Sequence, residues 1–272
     1  MKYQPSLPGH NDNVSQEHPL KDFLKILAGL AALALLGFFL LGLLVDAVVD
    51  RMDPATEAAL TRIVAEKTPA VPAGGDAREA RLQTLVDSLR GCAGLQGPAT
   101  VRLTRSTTPN AFVVPGGTIY VLTGLLEQVR SENGLAFVLA HELAHLAHRD
   151  HLRALGRGIV LYGLAALVSG DTSSLASVLA PVHQLGEARY SQGRESAADA
   201  LALRVLACRY GHAGGATEFF EALAAKEGDA LPGSHYFASH PALRAMGAQA
   251  GMQDGAVTPL ALPKQAMPAD PP

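Results

Sequence analysis

The chain has 272 residues, 48% of them hydrophobic, with no tryptophan and a formal net charge of −3 at pH 7. This apolar content is enough for one sizeable hydrophobic core. The charge balance has no basic excess, which argues against nucleic acid as a partner.

The N-terminal region predicts a membrane anchor. Residues 1–20 are polar and contain three prolines, so we expect them to be disordered. A charge-free apolar run then extends from Ile26 to Val45, and its roughly 20 residues are enough for one helix to cross a bilayer. We therefore predict a transmembrane segment over residues 21–49.

The residues on either side of this run indicate whether it is cleaved as a signal peptide and how it is oriented in the membrane. A cleaved signal peptide is the alternative, but the run is longer than the usual signal-peptide core and residues 45–47 form a poor cleavage site. Three lysines precede the run and two arginines follow it closely, so the positive-inside rule places the N-terminus in the cytoplasm. The rest of the chain is then expected on the other side of the membrane.

The segment after the anchor predicts two helices and three short strands. The helices are expected at about 53–67 and 76–90, with a flexible joint at 69–75 between them. Short apolar runs bounded by turn residues predict strands at about 100–104, 111–114 and 118–122.

The segment 141–145 reads His-Glu-Leu-Ala-His and lies in a predicted helix. Ser131 can begin this helix, and apolar residues then recur at helical spacing, so the helix is expected to be apolar on one side. His141 and His145 lie one turn apart on the same face, where both can bind one zinc ion. The carboxylate of Glu142 can reach the open side of that metal.

A catalytic zinc needs a third protein ligand. His151 follows His141 at the spacing found in metzincins, but that family has a glycine where this chain has His148. A helix continued through residues 147–150 would place His151 about 15 Å along the axis from His141, too far to share a metal.

The other source of a third ligand is a later helix. Glu195 and Asp199 lie at positions i and i+4, on one face of that helix. One of the two carboxylates can bind zinc while the other orients a ligand imidazole. We therefore favour this pair over His151.

The C-terminal half predicts further helices and a polar end. The helices are expected at about 157–168, 173–184, 188–208 and 215–227. The first is too short to span a membrane and is expected in the core or at a membrane surface. Residues 253–272 are proline-rich and predict a disordered tail. The fold class is a mostly helical α+β domain on a single anchor.

Cys92 and Cys208 are the two cysteines of the chain. They can form a disulfide in an oxidising compartment. Two isolated cysteines are as often buried as small apolar residues, and we favour that interpretation over the disulfide.

Several motifs together resemble one family of membrane-associated zinc peptidases of the gluzincin type. They are the 141–145 motif with Glu195 and Asp199 downstream, the hairpin-like segment 109–121, and the sequence Ser-His-Pro at 239–241. The family includes bacterial HtpX, the CAAX prenyl proteases, the mitochondrial OMA-type protease and the periplasmic BepA-like proteases. The resemblance covers residues 76 to 250, although Arg244 lies closer to the His-Pro pair than the family's arginine does.

The resemblance implies a zinc-dependent endopeptidase domain at residues 50–252 that acts on polypeptide substrates. One zinc ion per chain would be held by His141, His145 and Glu195. Zinc would activate a water and polarise the scissile carbonyl, while Glu142 takes the water's proton and passes it to the leaving amine. Asp199 would orient a ligand imidazole.

The resemblance also suggests how substrate binds. The edge strand of the 109–121 hairpin would hold the substrate backbone by strand addition. His240 has three alternative roles: a fourth ligand that closes the resting site, a donor to the developing oxyanion, or a packing residue.

An alternative from another functional class is an inert, membrane-anchored binding or chaperone-like module that keeps zinc for structure. Structural zinc sites usually have four protein ligands, often cysteines, and neither Cys92 nor Cys208 has ligand spacing. We therefore favour the enzyme. Analogy with the relatives suggests the bacterial inner membrane, a periplasmic catalytic domain, and misfolded envelope or membrane proteins as substrates.

Overall fold

The computed structural model describes residues 19–67, 76–169, 191–227 and 255–262. The chain divides into two compact units, Met1–Ala47 and Val48–Pro272. Several predicted features lie outside the described residues: the segment before residue 19, the joint at 69–75, the helix at 173–184, and the loop that carries His240.

The described part of the first unit consists of helix α1, Pro19–Arg51, up to residue 47. Its large apolar side chains, such as Leu33 and Phe39, are more than half exposed within the chain. Among the described residues, α1 is the helix whose length and composition suffice to cross a membrane. The apolar helix predicted from the sequence is therefore present, and it extends slightly beyond both predicted ends.

The second unit contains seven helices in its described part and one small sheet, which confirms the predicted mostly helical α+β class. Its helices are α2 Pro54–Lys67, α3 Ala77–Arg90, α4 Thr123–Leu126, α5 Glu132–Ala147, α6 Asp150–Ser169, α7 Gln192–Tyr210 and α8 Glu218–Glu227.

Helix starts follow the local capping residues. The side chain of Asp53 accepts hydrogen bonds from the backbone amides of Ala55 and Thr56, both at 2.9 Å. Asp76 accepts one from Arg78, and Ser131 accepts one from Gly134. Each cap satisfies an amide that has no partner within the helix, which is why these starts were predictable from sequence.

The sheet has three strands, β1 Thr100–Thr104, β2 Ala111–Val114 and β3 Thr118–Leu122, in the order β1-β3-β2. Their bounds match the predicted ones. β3 pairs in parallel with β1 and antiparallel with β2. The hairpin between β2 and β3 turns through Gly117, whose φ of 71° is costly for other residues.

The two edge strands of the sheet, β1 and β2, have different neighbours. Side chains of α3 cover β1: the amide of Gln83 bonds the carbonyl of Ala99 and the N–H of Val101, each at 2.8 Å, and Glu79 accepts from the N–H of Leu103 at 2.9 Å. Strand β2 pairs only with β3 among the described residues. Its other edge faces α5 and has no strand partner in the described part of the chain, and we call it the available edge. On this edge the N–H of Ala111 donates to the side chain of Asn110 at 2.9 Å.

Helix α5 is the centre of the core. It contacts α3, α6, α7, α8 and β2, and all its residues from Asn133 to His145 are buried. The sequence predicted a helix that is apolar on one side only. The structure corrects this expectation, because neighbours surround α5 and the metal-motif residues are buried along with the apolar ones.

The predicted continuation of α5 past Arg149 is wrong. The helix ends at Ala147, and Arg149 adopts a left-handed conformation with φ of 57° before α6 begins at Asp150. A left-handed residue reverses the chain direction at a helix end. The residues after the turn therefore do not lie farther along the α5 axis.

Residues 255–262, which the sequence assigns to a tail, are held against the N-terminus of α5. The carbonyl of Thr258 accepts from the N–H of Glu132, and its own N–H donates to the side chain of Asn133, both at 2.8 Å. The N–H of Leu260 donates to the carbonyl of Arg130 at 3.1 Å. These bonds pair backbone groups that precede or begin the helix, so this segment is part of the fold.

Cys92 and Cys208 form a disulfide, contrary to the interpretation that we favoured from the sequence. It joins the turn after α3 to the last turn of α7, across a sequence separation of 116 residues. The pairing depends on the packing of two distant helices, which no local pattern reports.

Replacing both cysteines by serine is expected to lower the free energy of unfolding by about 2–5 kcal/mol, because the unfolded chain regains the entropy that the closed loop removes. Thermal unfolding of the variant and the wild type, with and without reductant, measures this. Reductant should lower the wild-type midpoint toward that of the variant. Equal midpoints under oxidising conditions would contradict a stabilising disulfide.

Candidate metal centre

His141 and His145 lie on one face of α5, and their Nε2 atoms are 2.9 Å apart. Their four-residue spacing in a helix produces this approach. Both side chains are buried, with 8% and 2% of their residue surface exposed. The two nitrogens therefore meet at a single point inside the protein.

Glu195, in the first turn of α7, brings a carboxylate to the same point. Its Oε2 lies 3.3 Å from Nε2 of His141, and its Oε1 lies 3.8 Å from Nε2 of His145. Ligands around a tetrahedral zinc are separated by roughly 3.3 Å, given metal–ligand distances near 2.0–2.1 Å. The donor separations fit a shared metal ion.

Each imidazole also has a carboxylate at its other nitrogen. Oδ1 of Asp199 lies 3.0 Å from Nδ1 of His141, and Oδ2 of Asp150 lies 3.0 Å from Nδ1 of His145. A carboxylate at Nδ1 favours the tautomer that carries its proton there. Both Nε2 lone pairs then face each other, an arrangement that a bound cation stabilises.

The electrostatic surroundings of His141 also favour a bound cation. Burial lowers the pKa of His141, but hydrogen bonds to Asp199 and Glu195, together with the charge of Glu142, outweigh it and raise the pKa to about 10. The surroundings of His141 therefore favour a positive charge, from a proton or from a metal ion.

Glu142 is buried beside this group. Burial raises its pKa to about 7, and the charge of Glu195 adds to the increase, while His141 and a hydrogen bond from the backbone of Val113 act in the opposite direction. A carboxylate with a pKa near neutrality suits a general base.

The register of the hairpin explains the contact with Val113. The N–H of Leu122 donates to the carbonyl of Asn110, so Asn110, Phe112 and Val114 direct their backbone groups toward β3. The backbone groups of Ala111 and Val113 point the other way. The available edge of β2 therefore passes next to Glu142.

His151 is not a member of the group formed by His141, His145 and Glu195. It is the second residue of α6 and is buried, which lowers its pKa to about 4. Among the described residues, the group that could hold a metal ion, with one donor atom from each residue and all of them within 4.8 Å of one another, is His141, His145 and Glu195, without His151. His240 lies outside the described residues, and its role stays a prediction.

Sequence reasoning missed Asp150 and Arg194. Nη1 of Arg194 donates to Oδ1 of Asp150 at 2.6 Å, and burial leaves 1% of Asp150 exposed. The expected straight helix placed Asp150 away from His145. An acidic residue just after a metal-binding helix was the available signal.

A buried helix with two histidines one turn apart, completed by a carboxylate from a later helix, defines a metallohydrolase type of centre. The chain belongs to peptidase family M48, whose family model matches residues 76–245. The matched region contains the metal group, β2 and the disulfide.

Individual relatives agree with the family. The chain is 32% identical over 146 residues to the mitochondrial metalloendopeptidase OMA1 of Schizosaccharomyces pombe. The aligned region covers 50% of this chain and 41% of that protein. It is 34% identical over 146 residues to a protease HtpX homolog of Halobacterium salinarum, covering 46% and 49%.

A third relative is a putative beta-barrel assembly-enhancing protease of Vibrio cholerae, 29% identical over 140 residues, which covers 47% of this chain and 28% of that protein. The chain thus spans less than half the length of each of these relatives.

Proposed function

We propose that this protein is a zinc-dependent endopeptidase anchored in a membrane by α1. The buried group of His141, His145 and Glu195, with Glu142 beside it, carries the proposal. Membership of peptidase family M48 supports it.

The donor set favours zinc in a catalytic site. Two imidazoles and one carboxylate are a common catalytic zinc set, which leaves one coordination position for water or substrate. Both cysteines are in the disulfide and do not serve as further ligands. This argues against an inert module with a closed structural zinc site.

When bound, zinc would act as a Lewis acid toward a water and the scissile carbonyl. Glu142 would accept the water's proton and deliver it to the leaving amine. Asp199 would hold the imidazole of His141 in place through Nδ1.

Substrate would bind as an added strand at the available edge of β2. The outward carbonyls of Ala111 and Val113 would accept hydrogen bonds from the substrate backbone, next to Glu142. The N–H groups of these two residues donate to the side chains of Asn110 and Glu142, and would exchange those partners for the substrate. Side chains of α3 cover the edge of β1. Strand addition at β2 would accept many side chains, which suits unfolded chains as substrates.

The location proposed is the bacterial inner membrane, with the catalytic unit in the periplasm. The disulfide supports an oxidising compartment, and the three lysines that precede the apolar run at 26–45 support a cytoplasmic N-terminus. Misfolded envelope or membrane proteins are the substrate class that we propose. The relative named as a beta-barrel assembly-enhancing protease is consistent with an envelope role.

Casein hydrolysis by the full-length protein in detergent tests the proposal. We expect cleavage that a zinc chelator abolishes and that added zinc restores. Cleavage that persists after complete metal removal, or no cleavage by the zinc-loaded protein, would contradict a zinc peptidase. Comparison of new N-termini in envelopes containing wild-type or Glu142→Gln protein would then identify substrates.

A further inference from the structure

The two ligand imidazoles are oriented from different parts of the fold. The partner of His141, Asp199, lies one turn after Glu195 on α7. The partner of His145 is Asp150, the first residue of α6, whose Oδ2 lies 3.0 Å from Nδ1 of the imidazole.

The turn between α5 and α6 produces this contact. In a continued helix, Asp150 would lie about 7.5 Å along the axis from His145 and about 140° around it. The left-handed conformation of Arg149 changes the direction of the chain. Asp150 is therefore placed against α5, next to His145. Left-handed backbone is unfavourable for arginine, so surrounding contacts must hold this turn.

The side chain of Arg149 makes such contacts. Its Nη1 donates to the carbonyls of Val49 and Met52 at 3.1 and 3.0 Å, and its Nη2 lies 2.9 Å from the carboxylate of Glu57. These contacts fix the turn against the last residues of α1 and the residues that follow it.

Both oxygens of Asp150 have partners. Oδ2 faces His145, and Oδ1 accepts from Arg194 at 2.6 Å. Arg153 also lies within 3.7 Å of Oδ1. Because Arg194 directly precedes Glu195, the first turn of α7 supplies both a metal-type donor and the cation that holds Asp150.

We propose that Asp150 is a positioning residue for His145 and that Arg194 acts through Asp150. The carboxylate would keep the proton of His145 on Nδ1 and direct its Nε2 toward the metal, while Arg194 fixes the carboxylate. The pair ties α7, which carries Glu195, to the end of α5. This inference rests on the proposed metal site.

The test compares zinc affinity in the full-length protein. The variants are Asp150→Ala, Arg194→Gln and the double variant, with Asp87→Ala on α3 and Arg204→Gln on α7 as exposed controls. Competition with a chromophoric chelator gives the affinity, the visible spectrum of the cobalt-loaded protein reports the coordination, and melting of the metal-free protein reports folding.

We expect Asp150→Ala to weaken zinc binding about 10- to 100-fold and to change the cobalt spectrum, with both controls at wild-type values. Arg194→Gln should have a smaller effect. If Arg194 acts on the metal through Asp150, as proposed, the double variant should match Asp150→Ala alone.

Wild-type affinity in Asp150→Ala, or a double-variant loss equal to the product of the single losses, would overturn the inference. If Asp150→Ala fails to fold, the zinc affinities of Asp150→Asn and Arg194→Gln test the inference instead. Wild-type zinc affinity in both of these variants would overturn it. A wild-type protein that binds no zinc would overturn the proposed function itself, which is a distinguishable result.

Discussion

Replacing Glu142 by glutamine is expected to reduce casein hydrolysis by at least about a hundredfold, the usual contribution of a general base. The amide cannot accept the proton of the attacking water. Its shape is nearly the same, and the donors of His141, His145 and Glu195 are unchanged. Zinc content, measured on the same preparation, should therefore equal that of the wild type.

The matched control for this experiment is Glu127→Gln, an exposed glutamate outside the metal group. It should retain wild-type hydrolysis. If Glu142→Gln keeps more than about a tenth of wild-type activity, Glu142 is not the general base. If it loses zinc as well as activity, its role is in metal binding, and the proposed division of labour is wrong.

Replacing Glu195 by alanine is expected to reduce zinc occupancy sharply, whereas His151→Ala should leave it near the wild-type value. Glu195 lies within 3.3 Å of Nε2 of His141, and a site with two remaining protein ligands holds zinc weakly. His151 is buried outside the group of donors. Metal analysis after gel filtration at limiting free zinc measures both.

Two further measurements make the comparison sharper. Glu221→Ala, at an exposed position of α8, controls for loss of a carboxylate. Melting of the metal-free proteins separates folding from binding, because His151→Ala removes a buried ring and should lower stability without changing zinc affinity. Loss of zinc in His151→Ala together with full occupancy in Glu195→Ala would reverse the ligand assignment.

Local sequence determined the starts of α2, α3 and α5, the three strands, and two of the three metal-type donors. Capping side chains such as Asp53, Asp76 and Ser131 satisfy free amides at helix starts, so they mark the starts of α2, α3 and α5. The three strands are short apolar runs between turn residues. His141 and His145 meet because a helix brings every fourth residue to one face.

Tertiary structure decided how these pieces meet. The sequence favoured Glu195 as the third donor, but its approach to His141 depends on the packing of α7 against α5. The Cys92–Cys208 disulfide and the pairing of residues 255–262 with the start of α5 likewise join distant segments. Periodicity carries no information about such contacts, because it reports only which side of an element is apolar.

The contact between Asp150 and His145 is the clearest case in which local sequence fails to predict the structure. The residues between α5 and α6 are compatible with a helix, so local propensity predicts that α5 continues. Arg149 instead adopts a left-handed conformation, which its contacts with Val49, Met52 and Glu57 stabilise. These partners lie about a hundred residues earlier in the chain. The break in the helix is a tertiary effect, because distant contacts outweigh a weak local preference.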